Sequence, residues 1–339
     1  MSSPSDLTLE QSKFKESNIP VETTKINSML EAIGRKGPHW HEVGPEKYQQ
    51  MREAGESPLP PPIYLPEAQE ATIPSRDPGR TIPLRVYKPD DGRPSRGIFL
   101  HFHGGGFVLG NHQCQDLTLK LYANSCHLTA ISAGYRHAPS VPYPGPIHDC
   151  IDAAEYLVDH AIADYGVPLL FMGGESAGGC AAVLSAFHLI RSRPAHKLAG
   201  LVLPFGWFDM SLSLPSIATS TTVPPRVINL AEMEKFRDAY LPGMGEGEMR
   251  GAKVSPLFAD FSIGELPPAL LLVGSEDPLV DDTLLMGVKW MAAGAEAVVR
   301  VWPGCPHGFT VFPGFKPAAE AAEMVVGFLK EKLETLKGV

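Results

Sequence analysis

One serine in this chain stands in a setting that would make it a nucleophile. Ser176 is the centre of a G-x-S-x-G pattern, with Gly174 before it and Gly178 after it. An apolar run at 169–172 leads into the pattern, and a run of small residues at 180–184 follows it. A strand that turns sharply into a helix at such a pattern pushes the serine hydroxyl out of the backbone. The helix N-terminus then favours the negative charge that develops when the hydroxyl attacks a carbonyl group.

A serine nucleophile needs a base and an acid, and both follow downstream in the order serine, acid, histidine. Asp277 lies just past an apolar run at 268–274, which predicts a buried parallel strand. His307 follows a second predicted strand at 297–302. Because parallel strands end at the same edge of a sheet, the two side chains should meet there. His307 would accept the serine proton, and Asp277 would orient the imidazole and stabilise its cation. Glu276 is an alternative acid at this point.

A glycine-rich loop upstream of the serine is suited to stabilising an oxyanion. The apolar run at 98–102 ends in the sequence His-Gly-Gly-Gly at 103–106. A loop without side chains can turn its N–H groups outward, which an oxyanion hole requires. We predict that the N–H groups of Gly105, Gly106 and Ala177 hold the oxyanion of a tetrahedral intermediate. The alternative for the loop alone is a flexible strand-to-helix turn.

Alternating strand and helix patterns must position these residues. Two predicted strands near 68–73 and 80–88 come first, and from 98 onward strand and helix patterns follow one another. This order predicts a mostly parallel sheet with helices on both faces. The alternation stops between 206 and 261, which we interpret as an insertion with one helix at 227–240.

Residues 1–60 have a different character from the rest of the chain. They predict short, weakly amphipathic helices at 7–19, 24–33 and 45–54. A proline-rich connector at 57–62 leads from them into the first strand. The helices carry apolar residues but no core of their own, so we expect them to pack on the rest of the molecule.

With these motifs the chain resembles the hormone-sensitive-lipase-like family of α/β-hydrolases over roughly residues 80–335. The matching motifs are His-Gly-Gly-Gly at 103–106, Tyr-Arg-x-Ala-Pro at 135–139, Asp-Cys at 149–150, Gly-Glu-Ser-Ala-Gly-Gly at 174–179, Ser-Pro-Leu at 255–257, Asp-Pro-Leu-x-Asp at 277–281 and His-Gly-Phe at 307–309. The chain differs at Glu175, where many relatives have Asp, and at His137, where Leu is usual. The Asp-Pro-Leu match favours Asp277 over Glu276 as the acid.

The resemblance implies an α/β-hydrolase fold, with a mostly parallel central sheet, helices on both faces and a helical cap. The cap would comprise residues 1–60 and an insertion at about 206–261, within a catalytic domain of 61–339. The activity implied is that of a cofactor-free carboxylesterase that cleaves small to medium acyl groups through an acyl-enzyme. The same machinery could hydrolyse an amide, a lactone or a thioester. A non-catalytic receptor on this fold is a third hypothesis, which the intact His307 disfavours.

Aromatic residues near predicted strand ends should line the substrate pocket, and we name Phe107, Phe205 and Trp207 for this role. His101 and His103 form an H-x-H pair that invites a metal interpretation. Glycines follow where further ligands would be needed, so we predict no metal site. We expect His103 to support the oxyanion loop by hydrogen bonding instead.

Composition excludes several classes of function. The formal net charge is −9 at pH 7, from 29 Lys+Arg and 38 Asp+Glu, and no basic stripe stands out. We therefore expect no nucleic-acid partner. The chain carries no apolar run of membrane-spanning length and no signal-peptide pattern, and its five scattered cysteines lack CxxC spacing, which together predict a cytoplasmic enzyme. No phosphate-binding glycine motif follows a strand, so we expect no nucleotide cofactor. The resemblance implies a small-molecule ester as partner and no cofactor of another kind, and a homodimer is left open.

Overall fold

One eight-stranded sheet organises the residues that the computed structural model describes, 7–35, 37–221 and 225–336. The strands in chain order are β1 (Gln69–Pro74), β2 (Thr81–Tyr87), β3 (Ile98–Phe102), β4 (Thr129–Ala133), β5 (Leu169–Gly174), β6 (Gly200–Pro204), β7 (Ala269–Gly274) and β8 (Ala297–Trp302). They lie side by side in the order β1-β2-β4-β3-β5-β6-β7-β8. The pairs β1–β2 and β2–β4 are antiparallel, and the remaining pairs are parallel. The predicted mostly parallel sheet is confirmed.

Successive side chains of the central strands enter two different cores. In β5, Phe171 packs into the core on one face of the sheet and Met172 into the core on the other. Leu270 and Leu271 alternate in the same way in β7. Burial on both faces explains why these strands are continuous apolar runs in the sequence.

Helices cover both faces of the sheet and also build the segments outside it. In chain order they are α1 (Val21–Gly34), α2 (Trp40–Val43), α3 (Pro45–Glu53), α4 (Asp116–Cys126), α5 (Gly145–Tyr165), α6 (Ala177–Ser192), α7 (Pro215–Ala218), α8 (Leu230–Tyr240), α9 (Glu246–Met249), α10 (Val280–Ala292) and α11 (Lys316–Thr335). Helices α4 and α11 contribute side chains to the core that contains Phe171, on one face of the sheet. Helices α5, α6 and α10 contribute side chains to the core that contains Met172, on the other face. Because parallel strands need crossover connections, this two-sided covering follows from the sheet topology.

The N-terminal segment agrees with the prediction in part. Helices α1 and α3 confirm the helices predicted at 24–33 and 45–54. The helix predicted at 7–19 is wrong, because the structure has two short 3₁₀ turns there, Gln11–Phe14 and Glu16–Asn18. None of the residues in these turns is buried, so no packed apolar face stabilises a longer helix.

The insertion contains the predicted helix, with a later start. Helix α8 begins at Leu230 rather than at residue 227, because Asn229 caps it. The Asn229 side-chain oxygen accepts a hydrogen bond of 2.9 Å from the Glu232 backbone N–H. Side-chain capping of this kind fixes the first residue of a helix more sharply than apolar periodicity does.

All five cysteines are free thiols, and four of them are buried. Cys180, four residues after Ser176, is fully buried in the first turn of α6, and burial raises the pKa of its thiol well above the usual value. In the described ranges no helix is both long enough and apolar enough to cross a membrane.

Candidate active site

The sharp turn between β5 and α6 presents Ser176. The strand ends at Gly174, the helix begins at Ala177, and Ser176 between them has φ 55° and ψ −117°. This conformation is rare for a residue with a side chain and is a mark of local strain at a functional site. A Cβ on Gly174 or on Gly178 would overlap the carbonyl oxygen of Phe102 in β3, so both positions require glycine.

Ser176, His307 and Asp277 form one hydrogen-bonded chain. His307 Nε2 lies 3.0 Å from Ser176 Oγ, and His307 Nδ1 lies 2.9 Å from Asp277 Oδ2. The Nδ1–H donates to the carboxylate, which leaves the Nε2 lone pair free to accept the serine proton. The Leu279 backbone N–H donates to Asp277 Oδ1 at 2.8 Å and so fixes the carboxylate. All three side chains are almost entirely buried.

The two candidate acids point to different partners. Asp277 contacts His307, whereas the Glu276 carboxylate pairs with the Arg226 guanidinium. Arg226 also pairs with Glu31 of α1 at 3.0 Å. Glu276 therefore belongs to an ion-pair network between the loop after β7, the insertion and the N-terminal segment.

The glycine-rich loop after β3 borders the cavity that also contains the serine. Gly105 and Gly106 have φ of +116° and +64°, and both line the same cavity as Ser176. Across the described residues, no group accepts a hydrogen bond from the N–H of Gly105, Gly106 or Ala177. The donors of Gly105 and Gly106 are thus available to a molecule in the cavity, as the predicted oxyanion hole requires, whereas Ala177 is fully buried and is not among the lining residues.

A cluster of three aromatic side chains, His103, Tyr135 and His137, contacts this loop, with the first two rings stacked and His137 edge-on to both. The Nδ1 atom of His103 donates to the Gly104 carbonyl oxygen at 2.8 Å, and the Tyr135 hydroxyl donates to the His103 carbonyl oxygen at 2.6 Å. The Nε2 atoms of His103 and His137 are 3.2 Å apart. Because His103 uses its Nδ1–H for Gly104, its Nε2 accepts and the His137 Nε2–H donates.

Burial keeps both imidazoles neutral. It lowers the pKa of His103 well below its ordinary value, and it lowers the pKa of His137 to about 4. The prediction that His103 supports the loop agrees with its contacts. His137 was noticed in the sequence only as a departure from the family pattern, and its role depends on a contact that spacing could not reveal.

Neither imidazole of the H-x-H pair is free to take up a metal ion. His101 lies between Ser132 Oγ, at 3.0 Å from its Nδ1, and the Glu175 carboxylate, at 3.0 Å from its Nε2. His103 is engaged with the oxyanion loop as described. Glu175, the residue before the serine, is thus hydrogen-bonded to His101 of β3.

An open cavity lies over Ser176. Phe205 lines it, as predicted, but Phe107 and Trp207 do not. Phe107 is fully buried and stacks on Tyr240 with ring centroids 4.2 Å apart. Trp207 is fully buried and donates its Nε1–H to the Asp209 carbonyl oxygen at 2.9 Å. Their rings therefore hold the insertion in place and do not face the cavity.

Segments outside the sheet supply much of the cavity wall. From the N-terminal segment the lining residues are Trp40, Tyr48, Gln49, Arg52, Ser57, Pro58 and Leu59. From the insertion they are Val227, Ile228, Glu232, Met233 and Phe236. Trp40 stacks on Phe236 with centroids 4.8 Å apart, which joins the two segments above the serine. Sequence reasoning placed these segments near the site but could not identify the residues that face it.

Comparisons with known proteins agree with this geometry. The family model described as alpha/beta hydrolase fold matches residues 99–311. The chain is 30% identical over 276 residues to Esterase LipI of Mycobacterium tuberculosis, covering 78% of this chain and 82% of that protein. It is 31% identical over 267 residues to Carboxylesterase NlhH of the same species, covering 77% and 82%. The structure of a hyperthermophilic esterase from Pyrobaculum calidifontis superposes with a TM-score of 0.77 at 27% identity, covering 91% of this chain and 97% of that one.

Proposed function

We propose that this chain, which belongs to the α/β-hydrolase family, hydrolyses carboxylic esters with Ser176 as its nucleophile. The observation that carries the proposal is the hydrogen-bonded chain from Asp277 through His307 to Ser176, at the floor of an open cavity. The esterase names of its relatives in Mycobacterium tuberculosis support an ester as the substrate class.

The first half of the reaction forms an acyl-enzyme. His307 Nε2 takes the proton from Ser176 Oγ as that oxygen attacks the ester carbonyl carbon. The carbonyl oxygen becomes an oxyanion, which accepts hydrogen bonds from the N–H groups of Gly105, Gly106 and Ala177. Collapse of this intermediate breaks the bond to the alcohol oxygen, and His307 returns its proton to the departing alcohol.

The second half regenerates the serine. His307 takes a proton from a water molecule, which attacks the acyl carbon and forms a second oxyanion in the same place. Collapse releases the carboxylic acid and returns the proton to Ser176 Oγ. Asp277 stabilises the imidazolium each time it forms. The His307 imidazole must be unprotonated to begin, so activity should fall in acid.

The proposed substrates are esters of small to medium acyl groups. Residues 1–60 and the insertion at about 206–261 act as the cap, because both contribute side chains to the cavity wall. The aromatic and aliphatic side chains there offer burial worth about 0.8 kcal/mol per methylene group. Amides, lactones and thioesters are alternative substrates, because the same three side chains serve any acyl transfer. The cytoplasmic location and the homodimer stay predictions.

The test combines a substrate series with one substitution. We expect turnover of p-nitrophenyl esters from acetate upward, with a decline before dodecanoate. Ser176→Ala should lower kcat by about 10⁴–10⁶-fold and leave the melting temperature near that of the native protein. A fluorophosphonate probe should label the native protein at Ser176 and leave the variant unlabelled. Ester turnover that survives Ser176→Ala would disprove the nucleophile.

A further inference from the structure

Three side chains with metal-binding atoms meet beside the cavity, from parts of the chain that are far apart in sequence. His39 Nδ1 lies 2.6 Å from Glu232 Oε1, and His41 Nε2 lies 3.5 Å from the same oxygen. One ligand atom from each residue falls within 4.8 Å of the other two. Two imidazole nitrogens and one carboxylate oxygen form a donor set that zinc binds in proteins.

The surrounding structure holds these three side chains in place. Trp40, between the two histidines, is buried and stacks on Phe236 of α8. The rings of His39 and His41 lie nearly parallel, with centroids 5.4 Å apart and 14° between their planes. Glu232 is in the first turn of α8, where the Asn229 cap fixes its backbone. Little rotational freedom would therefore be lost on binding an ion.

The three ligand atoms, now within 4.8 Å of one another, reach the spacing of a zinc site if the side chains move by up to about 1.5 Å. Zinc lies about 2.0–2.2 Å from nitrogen and oxygen ligands, so tetrahedral ligand atoms are about 3.3 Å apart. The pair formed by His41 and Glu232 is close to this separation. His39 and Glu232 now share a hydrogen bond and must separate by less than about 1 Å, with the shared proton released to solvent. The side chain of His41 is 28% exposed, so water can complete the coordination.

We propose that His39, His41 and Glu232 form a zinc site that fastens the N-terminal segment to helix α8. Trp40 and Glu232 both line the cavity, so the ion would join its two outer walls. The site shares no residue with the chain of Ser176, His307 and Asp277 and supplies nothing to the proposed reaction. Sequence patterns could not reveal this site, because almost two hundred residues separate His39 and His41 from Glu232.

The experiment begins with the full chain, from which a chelator has removed bound metal and from which the chelator has then been removed. This protein is titrated with zinc chloride, and binding is measured by calorimetry. We expect one zinc ion per chain and a higher melting temperature with zinc. His41→Ala should weaken binding by at least about tenfold, since even the partners of metal ligands matter by 10–100-fold. The matched control is His188→Ala, which removes another histidine–carboxylate pair, His188 Nε2 with Glu155 Oε1 at 2.9 Å. It should leave zinc affinity unchanged.

Two further variants separate this site from folding and from catalysis. His41→Gln keeps a polar side chain at this position. If both His41 variants melt normally without zinc and neither is stabilised by added zinc, the result supports the site. Ser176→Ala should bind zinc as the native chain does, so loss of esterase activity and loss of zinc binding are independent outcomes. Zinc affinity equal in native chain and His41→Ala would overturn the proposal, as would no binding by the native chain at millimolar zinc.

Discussion

Alanine at Gly105 would show whether the oxyanion loop acts through its backbone. A Cβ at this position would overlap the carbonyl group of Leu109, and φ of +116° is a conformation that alanine rarely adopts. The Leu109 N–H donates to the Gly105 carbonyl oxygen at 2.8 Å, so both atoms belong to one tight turn. Side-chain rotation cannot relieve this overlap. The backbone must shift, and the N–H groups of Gly105 and Gly106 must shift with it.

The expected magnitude follows from the number of donors displaced. One oxyanion donor is worth about 3–4 kcal/mol in the transition state, or about 10²–10³-fold in kcat. Gly105→Ala should therefore lower kcat by at least this factor. KM should change little, because the donors interact more strongly with the oxyanion than with the substrate carbonyl.

Gly106→Ala has a different obstacle and should respond to a second change. At φ of +64° alanine is tolerated at a cost of about 1–2 kcal/mol, but its Cβ would overlap the Phe236 ring of α8. Phe236→Ala removes that ring. The double variant should therefore recover most of the kcat lost by Gly106→Ala, measured against Phe236→Ala alone. Phe236→Ala should give no such recovery to Gly105→Ala.

The control is a glycine with positive φ and open space. Gly166, at the C-terminal end of α5, has φ of +76° and no atom near the position of a Cβ. Gly166→Ala should lower the free energy of unfolding by about 1–2 kcal/mol and leave kcat unchanged. Steady-state kinetics on p-nitrophenyl acetate and melting temperatures measure both effects. An unchanged kcat in Gly105→Ala, or an effect on KM alone, would refute the oxyanion assignment.

Three further perturbations test other parts of the structure. Asp277→Asn should lower kcat by about 10⁴-fold, whereas Glu276→Gln should be nearly silent because the Glu276 carboxylate pairs with Arg226. A larger loss from Glu276→Gln would show that Glu276, and not Asp277, is the catalytic acid. Burial lowers the pKa of His137 from its ordinary 6.5 to about 4. Between these two pH values His137 is therefore protonated in the unfolded chain but neutral in the folded chain. The free energy of unfolding, measured in urea, should therefore fall as the pH is lowered from about 7 towards 4. The contribution of His137 to this fall is about 2 kcal/mol at pH 5. His137→Leu should make the fall shallower, and equal slopes in the native protein and the variant would contradict the burial argument. Deletion of residues 1–55 should reduce kcat/KM for longer acyl esters more than for acetate, because a wall of the cavity is lost; an equal loss across the series in a folded protein would show that the segment supports the catalytic groups instead.

Regular periodicity made the sheet and its edge predictable. Strands such as β5 and β7 are continuous apolar runs because both of their faces are buried, and such runs are visible in any sequence. Parallel strands then bring their carboxyl ends to one edge. For this reason Asp277 and Ser176, predicted together with His307 from motif order, both lie within hydrogen-bond distance of the His307 imidazole.

The cavity wall was not predictable in the same way. Phe107, Phe205 and Trp207 all follow strands, but only Phe205 faces the cavity. Which way a ring turns depends on the loop that carries it and on partners such as Tyr240 and the Asp209 carbonyl group. Loops have no repeating pattern that would fix such orientations from sequence.

The sequence by itself determined the sheet, the turn that presents Ser176 and the order of its partners, because local patterns and strand direction are sufficient for these. Only the tertiary structure decided how the N-terminal segment and α8 meet over the serine. It alone joined His137 to His103 and Glu232 to His39 and His41. The physical reason is that contacts between distant, non-repeating segments depend on how whole surfaces fit together, which no spacing between residues encodes.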